Sequence, residues 1–255
     1  MTAYAERFSL SGHLALVTGA SDGLGAGFAR ILHQAGAHVI LAARRLDRLE
    51  ALAAELGAGA SAISLDVRDK DSISACFAAL DREGLSPDIV INNAGIARPR
   101  RAIDIPAEEW DEVLAVNLRG AFLVAQEAAR RLVAAGKLGS IVNIASILGF
   151  RVAQETASYN AAKAGLIHLT RSLAVEWARH RIRVNALAPG YIETEMNRAF
   201  FASPAGEAMI KRIPLRRLGT IEDLAGPLLL LASPAGAFMT GAVVAVDGGH
   251  AVNPV

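Results

Sequence analysis

The chain has 255 residues, 53% hydrophobic and 20% charged, which is enough to bury a large core and unlike the charge-rich composition of a disordered chain. Its 26 basic and 25 acidic side chains leave a formal net charge of +1, and the arginine pairs at 100–101, 130–131 and 216–217 are scattered, which argues against a nucleic-acid surface. The single cysteine, Cys76, excludes an intrachain disulfide, and no apolar run reaches the roughly 18–20 residues of a membrane span.

In chain order, residues 13–18 (HLALVT) form an apolar run that ends in glycine-rich sequence and predicts a buried strand. Residues 24–34 have helical spacing and stop at Gly36. A strand at 38–42, a helix at 46–56, a strand at 60–65, a helix at 72–82 and a strand at 89–91 follow. The longest helical pattern covers 107–135, with Pro106 before its first turn. A strand at 140–144, a helix at 158–179, a strand at 182–187, a helix at 221–231 and a strand at 242–246 complete the series. Most strands are continuously apolar, as strands covered on both faces are. The expected fold is therefore α/β, one doubly wound, mostly parallel sheet of seven strands in a single domain over residues 1–255. Residues 193–214 interrupt the alternation with Met196, Phe200, Phe201 and Met209, and read as a substrate lid or as an ordinary surface helix pair.

Gly19, Ser21, Asp22, Gly23, Leu24 and Gly25 make the turn between the first strand and first helix. Glycines there let the backbone approach a pyrophosphate, while the helix N-terminus offers free N–H groups and a favourable dipole. Such folds place an acid after the second strand when they hold the 2′-hydroxyl of NAD. Here Arg44 and Arg45 stand instead, and guanidinium groups suit a 2′-phosphate. NADP(H) is expected to be preferred, with NAD(H) still usable. The plain alternative is two solvated arginines opening a helix.

Tyr159 and Lys163 lie four residues apart, on one helix face. A nearby cation favours a phenolate and lowers a phenol pKa, which is ordinarily about 10. Ser146 follows the strand at 140–144, where ligands sit in such sheets, and its hydroxyl suits a carbonyl oxygen that gains negative charge. Asn92, Ala94 and Gly95 close another strand, and Asn117 interrupts an apolar helical stretch, where a polar side chain needs a partner. The six histidines share no ligand spacing with each other or with Cys76, so no metal is expected.

These segments, with Asp66-Val67 and Pro189-Gly190, resemble the classical short-chain dehydrogenase/reductase family in order and spacing over about residues 10–249. The resemblance implies an oxidoreductase that transfers hydride between nicotinamide and a carbonyl or secondary alcohol. It gives Tyr159 the role of acid and base, Lys163 that of lowering its pKa and holding the ribose, and Ser146 that of orienting the substrate oxygen. Asn117 would support a proton-relay water. Asp66 and Val67 would meet the adenine, Asn92, Ala94 and Gly95 would wall the cofactor, and Pro189, Gly190, Ile192 and Thr194 would cradle the nicotinamide amide.

By the same resemblance Ile96, Ala97, Arg98, Ile147, Leu148, Gly149, Phe150, Gln154, Tyr191, Met196 and Phe200 border the substrate. Its apolar members suggest a small or medium-sized, largely apolar ketone or alcohol. A 3-oxoacyl-[acyl-carrier-protein] reductase is the alternative, with Lys137 and Arg179-His180-Arg181 as carrier contacts. A sugar or polyol dehydrogenase would need more polar lining than the sequence assigns, and a non-catalytic regulator is disfavoured because Ser146, Tyr159 and Lys163 are all present. The resemblance further implies a homotetramer, or else a dimer. A small-molecule substrate and a soluble cytoplasmic protein without membrane or nucleic-acid partners are expected.

Overall fold

The apolar runs become strands shielded on both faces in the computed structural model, which describes residues 3–195 and 197–253. Met196, expected in the pocket, lies outside them. The strands are β1 (Leu14–Thr18), β2 (His38–Ala43), β3 (Ala60–Ser64), β4 (Ile89–Asn92), β5 (Gly139–Ile144), β6 (Ile182–Pro189) and β7 (Val243–Val246). They form one sheet in the order β3-β2-β1-β4-β5-β6-β7. Every pairing is parallel.

The helices are α1 (Ala3–Glu6), α2 (Gly23–Gln34), α3 (Leu46–Leu56), α4 (Lys70–Arg82), α5 (Ala107–Leu114), α6 (Ala121–Ala134), α7 (Ala157–Trp177), α8 (Arg198–Phe201), α9 (Pro204–Ile210) and α10 (Ala225–Ala232). Successive strand side chains point to opposite faces, so each strand feeds two cores. On one face Phe28 and Leu32 of α2, Leu49 of α3 and Leu228 of α10 cluster with Ala15, Val17, Val39 and Leu41. On the other, Phe77 of α4, Val124 and Leu132 of α6 and Leu173 of α7 cluster with Leu16, Ile40, Val90 and Ile141. Burying each large apolar side chain contributes about 1.5–3 kcal/mol, and this two-sided packing fixes the three layers.

The sequence from β1 leads to β2 on one side, while β4 lies on the other. That reversal opens a crevice at the carboxyl ends of the strands. The helix expected over 107–135 is in fact two, because residues Ala115–Gly120 form a π-helical turn between α5 and α6. Asn117 sits inside this wider turn and donates to the Val113 carbonyl at 2.9 Å. A side chain inserted into the backbone ladder in this way accounts for the break. The 193–214 insert holds α8 and α9, the latter opened by Pro204 and capped by the Ser203 hydroxyl, which accepts from the Gly206 N–H.

Candidate active site

The turn after β1 is held open as a cradle. Gly19 has φ of +67°, and a Cβ there would stand 2.9 Å from Ala94 Cα, so only glycine fits both the conformation and the close approach. Asn93 locks the two loops, its Nδ2 donating to the Thr18 carbonyl at 3.0 Å, while Thr18 Oγ1 accepts from the Asn93 and Ala94 N–H groups. Asp22 occupies the N-cap position of α2, yet its side chain makes no cap hydrogen bond. It takes Arg45 Nη2 at 2.5 Å instead, and Arg48 approaches to 3.5 Å. The first turn of α2 therefore keeps its N–H groups for an anion, the arrangement that suits a pyrophosphate.

The cleft above this turn has a volume of about 470 Å³. Gly19, Ser21, Asp22, Gly23, Leu24, Gly25, Arg44, Arg45, Asp66, Val67, Ala94, Gly95, Ser146, Tyr159, Lys163, Pro189, Gly190 and Thr194 all line it. Arg44 is exposed and makes no ion pair among the described residues, although its charge reaches the Asp66 carboxylate, and its guanidinium is available to a phosphate. Asp66 is bound bidentately by Arg68, at 2.7 Å in its shorter contact, and this pairing holds its carboxyl below the usual range. It stays a charged acceptor. These features fit a dinucleotide bearing an extra phosphate.

Two expected cofactor residues are not at the cleft. Asn92 is buried and turned the other way, donating to the Ala121 carbonyl at 3.0 Å and to Asn143 Oδ1 at 2.9 Å. It ties β4 to α6 and β5, and its neighbour Asn93 faces the cleft in its place. Ile192 is buried in the core beside Leu224 and Leu228, so its side chain does not line the cleft.

At the far end of the cleft Ser146 precedes a short helical turn and accepts from the Leu148 N–H at 3.1 Å, which fixes its rotamer. Its hydroxyl lines the cleft together with Tyr159 and favours the ionised phenol. Tyr159 and Lys163 share the first turns of α7, with the Lys163 ammonium 5.5 Å from the centre of the Tyr159 ring. Lys163 is 4% exposed and donates to the Ile144 carbonyl at 2.7 Å. Burial lowers its pKa to about 8. Burial also raises the Tyr159 pKa, with Tyr191 adding to the rise. In the chain by itself the phenol is therefore raised and not lowered, because desolvation outweighs the opposing influence of Ser146.

Asn117 stands behind this group, with Nδ2 donating to the Ile96 carbonyl at 2.8 Å and Oδ1 accepting from the Ile96 N–H at 3.3 Å. A Cβ on Gly95 would lie 2.7 Å from Asn117 Oδ1 and 3.7 Å from Lys163 Nζ, so glycine keeps the gap between them open.

A second cavity of about 690 Å³ shares a wall with the cleft, since Ile147 and Leu148 follow Ser146 and Tyr191 follows Gly190. Gln154 lines it as expected. Ile96 borders the cofactor cleft instead. Phe150 and Phe200 are 49% and 47% exposed and do not line the cavity, so the apolar wall expected from them is missing. Arg151, Met209, Arg212, His250 and Asn253 take part in its lining. Met209 and Arg212 belong to the 193–214 insert expected to line the pocket, whereas sequence reasoning passed over Arg151, which stands beside the more conspicuous Phe150, and over His250 and Asn253, which follow the last strand with no pattern of their own. The His250 ring packs 5.3 Å from that of Tyr191, and its Nδ1 is buried without a partner.

Lys137 and Arg181 stand just before β5 and β6, at the amino-terminal ends of these strands, whereas the cleft lies at the carboxyl ends. Among the described residues no group of three or more His, Cys, Asp or Glu side chains is placed to hold a metal ion, and no helix is long and apolar enough to cross a membrane.

A family model described as enoyl-(acyl carrier protein) reductase matches residues 19–251. The 2-dehydro-3-deoxy-D-gluconate 5-dehydrogenase of Escherichia coli K12 is 39% identical over 95% of this chain and 96% of its own length. The galactitol 2-dehydrogenase (L-tagatose-forming) of Cereibacter sphaeroides is 41% identical over 98% and 99%. The crystal structure of a gluconate 5-dehydrogenase from Burkholderia cenocepacia J2315, in complex with NADP and tartrate, superposes with a TM-score of 0.93 at 36% identity, covering 98% of this chain and 99% of that one.

Proposed function

This oxidoreductase belongs to the short-chain dehydrogenase/reductase family, and we propose that it interconverts a secondary alcohol and a ketone on a polyhydroxylated small molecule, with NADP(H) preferred over NAD(H). The observation that carries the reading is the placement of Ser146, Tyr159 and Lys163 together on the cofactor cleft, next to a cavity fringed by Arg151, Gln154, Tyr191, Arg212, His250 and Asn253. These polar side chains, set among Ile147, Leu148, Val152, Ala153 and Met209, offer hydrogen-bond partners for hydroxyl groups that a plain alkyl ketone would leave unused. The sugar-related names of the relatives support the same direction.

When bound, the nicotinamide supplies or takes up a hydrogen with its electron pair. The protein manages the proton. In reduction the Ser146 hydroxyl orients the substrate oxygen and Tyr159, kept a neutral phenol by burial, donates its proton to it. In oxidation Tyr159 takes the proton from the alcohol, and Lys163 stabilises the phenolate from beside the ring. With a pKa of about 8, Lys163 is mostly an ammonium at neutral pH. Asn117, pinned by Ile96 and Val113, holds the far side of the gap next to Lys163. Arg44 and Arg45 take the 2′-phosphate, and Met209 and Arg212 make the 193–214 insert a lid over the substrate.

The test is a panel of alditols, aldonates, simple ketones and 3-oxoacyl thioesters assayed with both cofactors. Turnover of hydroxylated compounds with NADP(H) supports the reading. Turnover confined to thioesters or alkyl ketones overturns it.

A further inference from the structure

We propose that Arg151 and Arg212 form an anion subsite that holds a carboxylate of the substrate, so that the enzyme prefers hydroxylated acids to the matching neutral polyols. The inference rests on reading the second cavity as the substrate site.

Both guanidinium-bearing residues line that cavity, and no Asp or Glu does. Among the described residues neither arginine has a carboxylate within ion-pairing distance, whereas Arg98, at the neighbouring cleft, is paired with Glu112 at 3.5 Å. Arg151 donates from Nη1 to the His250 carbonyl, which fixes the guanidinium without neutralising it. Arg212 has no side-chain hydrogen bond among the described residues, and its own carbonyl accepts from Asn253 Nδ2 at 2.8 Å. Asp247, three residues before His250, accepts from the Gly249 and Ala251 N–H groups at 2.9 and 2.5 Å and makes no ion pair with either arginine. His250 lines the same cavity, and burial and both guanidinium groups lower its pKa against the opposing Asp247 carboxylate.

Two like charges without an ion pair on one concave surface repel each other and focus a positive potential. An anion bound between them removes that repulsion and gains charge-assisted hydrogen bonds. Because Ile147 and Tyr191 join the cavity to the Ser146 and Gly190 wall, a carboxylate held at the arginines leaves the carbon chain pointing toward Ser146 and Tyr159. The arginines take no part in proton transfer; they select and orient.

The test compares kcat/KM for D-gluconate and D-galactonate with that for the corresponding alditols in wild type, Arg151→Gln, Arg212→Gln and the charge-keeping Arg151→Lys and Arg212→Lys. The wild type is expected to favour the acids. The acid-to-alditol ratio is expected to fall at least tenfold in each glutamine variant and to recover in part in the lysine variants. Melting temperature and NADPH affinity check that each variant is folded. A ratio unchanged by both glutamine substitutions, or a wild type that favours the alditols, overturns the subsite while leaving polyol oxidation standing. A response confined to D-glucitol 6-phosphate overturns the carboxylate assignment. If neither class is turned over, calorimetry of D-gluconate with the enzyme–NADP complex decides. Binding lost in the glutamine variants keeps the subsite and removes the proposed reaction, and no binding removes the subsite as well.

Discussion

The Asp22 carboxylate stands 2.5 Å from a guanidinium nitrogen of Arg45, so the glycine turn after β1 is tied to the end of β2 by an ion pair. Arg45 also donates to Ser21 Oγ at 2.7 Å. Both partners are exposed by more than a third, so the pair is worth at most about 1 kcal/mol. It nevertheless holds a cation that a 2′-phosphate would need. Asp22→Asn is expected to tighten NADPH binding by roughly twofold to fivefold, the equivalent of that energy, with little effect on NADH. Fluorescence titration of both cofactors checks this.

Arg44→Ala is expected to weaken NADPH far more than NADH, since Arg44 lines the cleft without an ion pair among the described residues. The same titration reads the change, and equal losses for the two cofactors would assign the 2′-phosphate elsewhere.

The buried Lys163 gives stability a pH dependence whose sign is fixed. Its pKa is lowered from 10.5 to about 8 in the folded chain. Between those values the unfolded chain holds a proton that the folded one does not, so stability rises with pH across that window and is lost as pH falls through 8. The slope is at most about 1.4 kcal/mol per pH unit. Lys163→Met removes this contribution. The difference in melting temperature between wild type and variant is expected to move in favour of the wild type from neutral pH to about pH 10, and differential scanning fluorimetry follows it.

Cys76 is buried, and its thiol is pushed up to about 12. The folded protein is expected to resist iodoacetamide at about pH 8, and the denaturant-unfolded chain to react fully, because a free thiol ionises near pKa 8.5. Mass spectrometry of both samples distinguishes the two states.

The sheet was legible because its strands are continuous apolar runs, and β1 to β7 fall within a few residues of their expected bounds. Ser146, Tyr159 and Lys163 were legible as chemistry, since a hydroxyl after a strand and a phenol four residues before a lysine converge in this topology. The failures have physical reasons. Asn92 and Asn93 are both amides at one strand end, and only the pleat decides that Asn92 turns toward α6 while Asn93 reaches the glycine turn. The π-helical turn at 115–120 keeps an apolar periodicity close to that of one long helix, so the break is visible only from the bonds of Asn117. Phe150 and Phe200 were chosen for residue type, but their backbone positions turn them outward and place Arg151 and Arg212 on the cavity. The sequence shows the cation near Tyr159 but not the burial of the phenol, and burial is what raises its pKa.

The most direct test of the account is the rate of NADP(H) turnover by Tyr159→Phe with the best hydroxylated substrate found for the wild type. The phenylalanine keeps the ring and removes the proton carrier that lines the cleft together with Ser146. The account predicts a fall in kcat of roughly a hundredfold or more, as expected for loss of a general acid-base group, with NADPH affinity and melting temperature near those of the wild type. A variant that retains near-normal kcat would contradict it.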